Sequence, residues 1–328
     1  MRTIHHLFSI AICTYNRAEV LSYSIKAALK QNIPQDQYEI IIIDNNCTDE
    51  TSKIVRNFMS LHTNIIHVTE KRQGLSFARN KAIEDAKGDF IIYVDDDAEI
   101  CPDYLFQLDK ILMEENEIGA IGGPVEVGWL GKVPSWYEAG LDRAFNHLYY
   151  GSFRMKLQYP KMIFGTNMAF PSSLLKKLGG FHTGVGRVGE LRLSSKEKKL
   201  LQRVDKKERD RFDITGYGES DIEILLRIEK NEGLPVIYDP MLKLKHLISP
   251  ERLSPEYILS KALWQGRSQY RVESLYNLKG RLRNVFWCLF ESHLRFLLRR
   301  SSGILTEKLT QSLAKGYIKE WWGSKRKH

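Results

Sequence analysis

The sequence predicts an α/β protein: a mostly parallel sheet flanked by helices, with a helical C-terminal extension. Three observations carry this. Apolar runs of strand length, such as "YEIIIID" at 38–44, are nearly continuous, as in strands buried on both faces. They alternate with segments of helical spacing, the mark of βαβ units. Polar residues follow directly behind the strand ends, where open α/β sheets place their ligand sites.

The elements follow in order. "FSIAIC" (8–13) is a short strand rich in β-branched residues, and Arg17 to Gln31 has helical spacing through Val20, Leu21, Ile25, Ala28 and Leu29. "YEIIIID" is the second strand, Thr48 to Leu61 a helix, and "NIIHV" (64–68) a strand. Leu75 to Ala86 reads as a helix, Gly88 turns the chain, and "FIIYV" (90–94) is the fourth strand.

These strand ends converge on one edge. Thr14, Tyr15 and Asn16 close the first strand, Asp44 the second, and Asp95, Asp96 and Asp97 the fourth. A single Asp behind a strand is usually a turn former or a helix cap. Three in a row, with Asp44 nearby, predict a cation site. Mg2+ or Mn2+ would relieve the carboxylate repulsion, because these ions take hard oxygen ligands and share substrate phosphates. Neither GxxxxGK[ST] nor GxGxxG occurs, so no P-loop or dinucleotide motif is present.

Composition sets further bounds. The 328 residues carry 43% hydrophobic and 27% charged side chains, ordinary for a globular enzyme. Cys13, Cys47, Cys101 and Cys288 are scattered without a CxxC pair, which suggests a reducing, cytoplasmic setting. No run reaches the roughly 20 apolar residues that cross a bilayer, and no leader is expected. The net charge of +9 is uneven: Met241 to His328 holds 18 Lys and Arg against 6 Asp and Glu, a net of +12. The basic end predicts an anionic partner.

The strings "SIAICTYNR", "IIIIDNNCTDET" and "RQGLSFARNKAIEDAKGDFIIYVDDD" together resemble the family 2 glycosyltransferases, whose fold is GT-A (Rossmann-like). "SIAICTYNR" looks like the opening strand of that family. "IIIIDNNCTDET" is similar to its VDNGSTD signature, with Asn46-Cys47 in place of Gly-Ser. "RQGLSFARNKAIEDAKGDFIIYVDDD" matches the approach to the DxD motif. "GTNMAF" (165–170), "LGGF" (178–181) and "GESDIEILLR" (218–227) follow in the family's order. The likeness runs from about Phe8 to Leu247.

The resemblance implies roles. Thr14, Arg17, Asp44, Arg72, Arg79, Asp95 and Asp96 would bind the nucleotide-sugar, with Asp44 on the base. Asp97 and Asp95 would hold Mn2+ or Mg2+, with His246 of "KLKH" as a further ligand; the alternative for a lone His is a structural role. Asp221 would deprotonate the acceptor hydroxyl, with Glu219 the second candidate; acids in a first helical turn also serve as caps. Asn167 either faces the acceptor or holds a loop. The donor would be a nucleoside diphosphate sugar, UDP-linked before GDP-linked, and the acceptor a glycan or lipid-linked glycan. The implied product is inverted, in cell-surface polysaccharide synthesis.

The implied division is a catalytic domain over 1–250 and a basic helical region over 251–328. Residues 1–125 form the nucleotide-sugar half and 126–250 the acceptor half, the latter with a charged helical insertion near 187–212 beside the acceptor opening. The aromatic stretch 128–151 belongs either at the acceptor side or in the core. "NVFWCLFESHLRFLLRR" (284–300) and Trp321-Trp322 mix bulky apolar and basic residues, which suits an anionic membrane surface. The same stripe suits helices packed on the catalytic domain. Attachment at the inner face of the cell membrane is the expectation. "WQGRSQY" (264–270) lacks the Trp of the processive QxxRW string, so one sugar per encounter is expected. Nucleic acid is not expected, as no RRM, KH or helix-turn-helix signature accompanies the basic tail. A sugar-phosphate nucleotidyltransferase or a non-catalytic nucleotide-sugar- or membrane-binding module remains the alternative; the first should carry a Gly-rich, Arg-containing loop after strand one, which "CTYNRAEVL" does not supply.

Overall fold

Strands β1 (Phe8–Thr14) and β2 (Tyr38–Asp44) lie in the middle of a sheet, and every residue of β2 is buried. Helices cover both faces of such a strand, which explains the unbroken apolar run. Burial of each isoleucine from Ile40 to Ile43 contributes roughly 1.5–3 kcal/mol. The computed structural model describes residues 3–115, 117–135, 137, 145–183, 220–276, 308 and 310–318.

The predicted alternation is present. After β1 and before β2 comes α1 (Ala18–Leu29), which turns Val20, Leu21, Ile25 and Ala28 inward at helical spacing. Then follow α2 (Thr51–Met59), β3 (Ile65–Thr69), α3 (Leu75–Asp85) and β4 (Phe90–Asp95). A short β5 (Ala98–Ile100) leads to α4 (Tyr104–Glu114). The second half adds β6 (Ala120–Gly122), β7 (Val125–Trp129), β8 (Met155–Leu157), β9 (Asn167–Pro171) and α5 (Ser172–Lys177). It continues through α6 (Ser220–Arg227), β10 (Val236–Tyr238), β11 (Leu244–Ile248) and α7 (Pro255–Leu275).

The main sheet has the order β3-β2-β1-β4-β9-β6-β10-β8. β3, β2, β1 and β4 are mutually parallel. β9 is antiparallel to both β4 and β6, while β6 and β10 run parallel. A second sheet has the order β5-β11-β7. Register decides what the edges offer. Thr14 pairs with Asp44, Cys13 with Asp95, and Val94 with Asn167.

The chain forms two compact units. The first comprises Met1–Gly128, Asn146–Thr183 and Ser220–Leu247, and it contains both sheets almost entirely. Within the second, Trp129, Tyr137 and Phe145 pack on one another with ring centroids 5.0–6.1 Å apart. Those three aromatics of the 128–151 stretch thus make a packed cluster, and Phe145 is buried. Also in this unit, α7 crosses the helical residues 310–318, where the Tyr317 hydroxyl donates to Oε2 of buried Glu273 at 2.8 Å. No helix among the described residues is long and apolar enough to cross a membrane. The insertion at 187–212, the stretch 284–300, Trp321 and Trp322 lie outside the described residues.

Candidate active site

The three acids after β4 are each handled differently. Oδ2 of Asp96 accepts from the Thr14 hydroxyl at 2.8 Å, and its Oδ1 stands 3.6 Å from Nε of Arg17. Oδ2 of Asp97 accepts from Nη2 of Arg17 at 2.8 Å, and its Oδ1 is 3.3 Å from Nε2 of His246. Asp95 ends the strand, and its carbonyl accepts from the Ser24 hydroxyl of α1. Ser24 also accepts from the Ala98 N–H and so pins the turn from both sides. Burial pushes the Asp96 carboxyl up to about 7, with the neighbouring Asp97 charge adding to the rise and Arg17 opposing it. Burial would also raise Asp97, but Arg17 and His246 outweigh it and hold that carboxyl well below the usual range. Adjacent acids are tolerable because the Arg17 guanidinium spans Asp96 and Asp97 and because the raised Asp96 carboxyl holds its proton more readily than an ordinary acid.

The second sheet delivers His246. β11 runs antiparallel to β5 with His246 opposite Ala98, and the Leu247 N–H donates to the Asp97 carbonyl at 2.7 Å. Asp95, Asp97 and His246 then each offer one ligand atom, all within 4.8 Å of one another. Two carboxylates and one imidazole at this spacing are a donor set that suits a divalent cation.

Asp44 lies at the same edge through its register with Thr14. Its oxygens accept from the Cys47 N–H at 2.8 Å and the Ser52 hydroxyl at 2.7 Å, and His67 approaches at 3.4 Å. Against the upward push of burial, these bonds hold its pKa below the ordinary value. The departure at Asn46-Cys47 has a local explanation. Asn46 has φ 68°, a left-handed position that Gly occupies freely and Asn tolerates best among other residues. Cys47 Sγ accepts from the Asn16 N–H at 3.3 Å, a bond a Ser hydroxyl would also make.

Arg72 and Arg79 have other partners. Arg72 lies at the exposed rim and grips Glu70 through Nε at 3.0 Å and Nη2 at 2.7 Å. Arg79 is 3% exposed and stacks over the rings of Tyr93 and Phe181. Its Nη1 donates to the Ser220 hydroxyl and its Nη2 to the Gly165 carbonyl, both at 3.3 Å. The Gly165 N–H in turn donates to Oδ2 of Asp221 at 2.8 Å. Arg79 therefore sits with the Asp221 helix start. Glu219 lies outside the described residues.

Asn167 lies inside the fold and bridges three segments. The side chain is wholly buried, its Nδ2 donates to Pro124 and Leu242 carbonyls, and its Oδ1 accepts from the Tyr104 hydroxyl at 2.7 Å. Several contributors escaped the sequence reading. Asn45 donates to the Glu70 and Arg72 carbonyls and accepts from the Gly74 N–H. Asp49 accepts from the Ala18 N–H at the start of α1, and from both the N–H and the hydroxyl of Thr51 at the start of α2. The signal for Asn45 and Asp49 was their place in the loop behind the second strand, beside Asp44.

Known proteins bear on this arrangement. The family model described as "Glycosyl transferase family 2" matches residues 9–179. The glucosyl-dolichyl phosphate glucuronosyltransferase of Haloferax volcanii is 22% identical over 276 residues, 82% of this chain and 78% of that protein. A poly(ribitol-phosphate) beta-glucosyltransferase of Bacillus spizizenii is 33% identical over 91 residues, 27% of this chain and 14% of that protein. Among solved structures, the mannosyltransferase PcManGT from Pyrobaculum calidifontis, in complex with GDP-Man and Mn2+, superposes with a TM-score of 0.59. It is 16% identical, and the match covers 98% of this chain and 88% of that one, which establishes a shared fold.

Proposed function

The chain belongs to glycosyl transferase family 2, and on that premise we propose an inverting transferase moving one sugar from a nucleoside diphosphate sugar to a glycan or lipid-linked hydroxyl. The observation that carries this reading is the register of β1 with its two neighbours, β2 and β4. It sets Thr14 beside Asp44 and Cys13 beside Asp95, so nucleotide and cation residues share an edge.

In this reading Asp44 accepts from the nucleotide base, while Thr14 and Asp96 face the ribose and Arg17 the diphosphate. Arg72 borders the nucleotide from its exposed position. Asp95, Asp97 and His246 would hold Mn2+ or Mg2+. The chemistry such an ion supplies is neutralisation of the charge on the departing diphosphate. Asp221 takes the proton of the acceptor hydroxyl, which attacks the anomeric carbon opposite the leaving group and inverts it. The Gly165 N–H orients the Asp221 carboxylate for that transfer.

Lipid linkage of the acceptor draws support from the Haloferax relative, whose name specifies a glucosyl-dolichyl phosphate. Attachment to the inner face of the cell membrane rests on the C-terminal net charge of +12. Failure of the full chain to bind anionic liposomes at low salt would remove that part of the reading. For the whole reading, UDP and GDP are titrated calorimetrically with and without Mn2+ on the wild type and on Asp97→Ala. Metal-dependent binding of one nucleotide, absent from the variant, is the expected result and identifies the donor base. Tight binding indifferent to metal and to Asp97 would overturn the cation site. Product configuration, read by NMR, tests inversion.

A further inference from the structure

Arg17 and a divalent ion have claims on the same carboxylate. Nη2 of Arg17 is 2.8 Å from Oδ2 of Asp97, whose Oδ1 faces His246 at 3.3 Å. Asp97 also belongs to the group of three side chains with metal-ligand spacing. Nε of Arg17 lies 3.6 Å from Asp96, so the guanidinium spans both acids. The Arg17 main chain is held in place, because its carbonyl accepts from the Val20 and Leu21 N–H groups at the start of α1. Only the side chain is left to yield.

We propose that Arg17 couples metal binding to donor binding: its guanidinium competes with the divalent ion for Asp97 until a diphosphate draws it away. Two cations on one buried carboxylate repel each other, so the ion alone binds weakly. The donor's phosphates are the natural second partner of a guanidinium at this edge, since arginine takes phosphate oxygens two at a time. With the diphosphate in place, the repulsion is neutralised and the ion binds more tightly. By linkage the ion strengthens donor binding by the same factor. This inference rests on the proposed metal role of Asp97, and it goes further by making Arg17 the residue through which metal binding and donor binding depend on each other.

The test is titration of Mn2+ alone, followed by paramagnetic resonance, on the full chain. Wild type, Arg17→Gln, Arg17→Lys and Asp97→Asn are compared, each checked for folding by circular dichroism. Arg17→Gln should bind free Mn2+ about tenfold more tightly, an ordinary size for such coupling. Arg17→Lys, which keeps the charge, should stay near the wild type. The strengthening of Mn2+ binding by UDP or GDP should shrink in Arg17→Gln. Unchanged Mn2+ affinity in Arg17→Gln, or no Mn2+ binding by it at all, overturns the inference. Free Mn2+ bound as well by Asp97→Asn as by the wild type would instead overturn the metal role of Asp97.

Discussion

Arg79 and Asp221 meet at Gly165. The Gly165 carbonyl accepts from Nη2 of Arg79 at 3.3 Å, and its N–H donates to Oδ2 of Asp221 at 2.8 Å. A Cβ on Gly165 would stand 2.6 Å from each of those two side-chain atoms. Gly165→Ala must therefore shift the carboxylate or the guanidinium. A displacement near 1 Å costs about 100-fold in rate. The expected outcome is that loss in kcat with nucleotide affinity by calorimetry unchanged; equal loss of both would place Gly165 in general stability instead.

Asp221→Asn keeps the shape and removes the proton acceptor. A general base contributes about 10²–10⁴-fold. Turnover should fall by that amount while calorimetric UDP or GDP binding persists. Full turnover in this variant would assign the base elsewhere, with Glu219 next to be tested.

Asn167→Ala leaves the Leu242 carbonyl and the Tyr104 hydroxyl without their Asn167 partner, while the Pro124 carbonyl keeps the Leu244 N–H. Each buried polar group left unsatisfied costs about 1–3 kcal/mol. The melting temperature should drop by several degrees, with the acceptor KM of the surviving enzyme unchanged. A raised acceptor KM at unchanged melting temperature would assign the acceptor-facing role.

Asp109 anchors the N-terminal strand entry. It accepts from the His5 and His6 N–H groups and pairs with both imidazoles, at 3.1 Å for His5 and 2.8 Å for His6. Burial favours its neutral form, but the His6 and His5 bonds outweigh that and lower its pKa from 3.8. A lowered folded value means stability that is complete above the unfolded value and lost as pH falls through the folded one. Urea unfolding of the wild type and Asp109→Asn should show a gap that is widest above about pH 5 and closes on acidification. A gap that widened toward acid would contradict the assignment.

Gly266 and Gly316 let two helical segments of the second unit cross backbone to backbone. A Cβ at Gly266 would lie 1.8 Å from the Leu313 carbonyl oxygen, and one at Gly316 would lie 1.8 Å from that of Leu263. Gly266→Ala forces the helices apart, at a cost of roughly 1–3 kcal/mol. Calorimetry should show a lowered transition and proteolysis faster cleavage in α7. Unchanged behaviour in both would mean that the crossing is loose.

The sequence by itself determined the strand–helix alternation, the parallel direction of the first strands and the edge on which Thr14, Asp44 and Asp95 stand. These follow from local periodicity and from the rule that parallel strands end together. The β-strand pattern "EIIIID" locates Asp44 without reference to any other residue. Tertiary structure alone decided the partners. His246 reaches Asp97 only because β11 pairs with β5 in one register. Arg79 lies in the sequence segment that leads to Asp95, Asp96 and Asp97, yet the packing of Tyr93 and Phe181 directs its guanidinium to Ser220 and Gly165. Asn167 turns inward because Tyr104 and two carbonyls from distant segments surround it. The direction of a long side chain depends on which charges and carbonyls the fold brings within about 3 Å, and no local period encodes that.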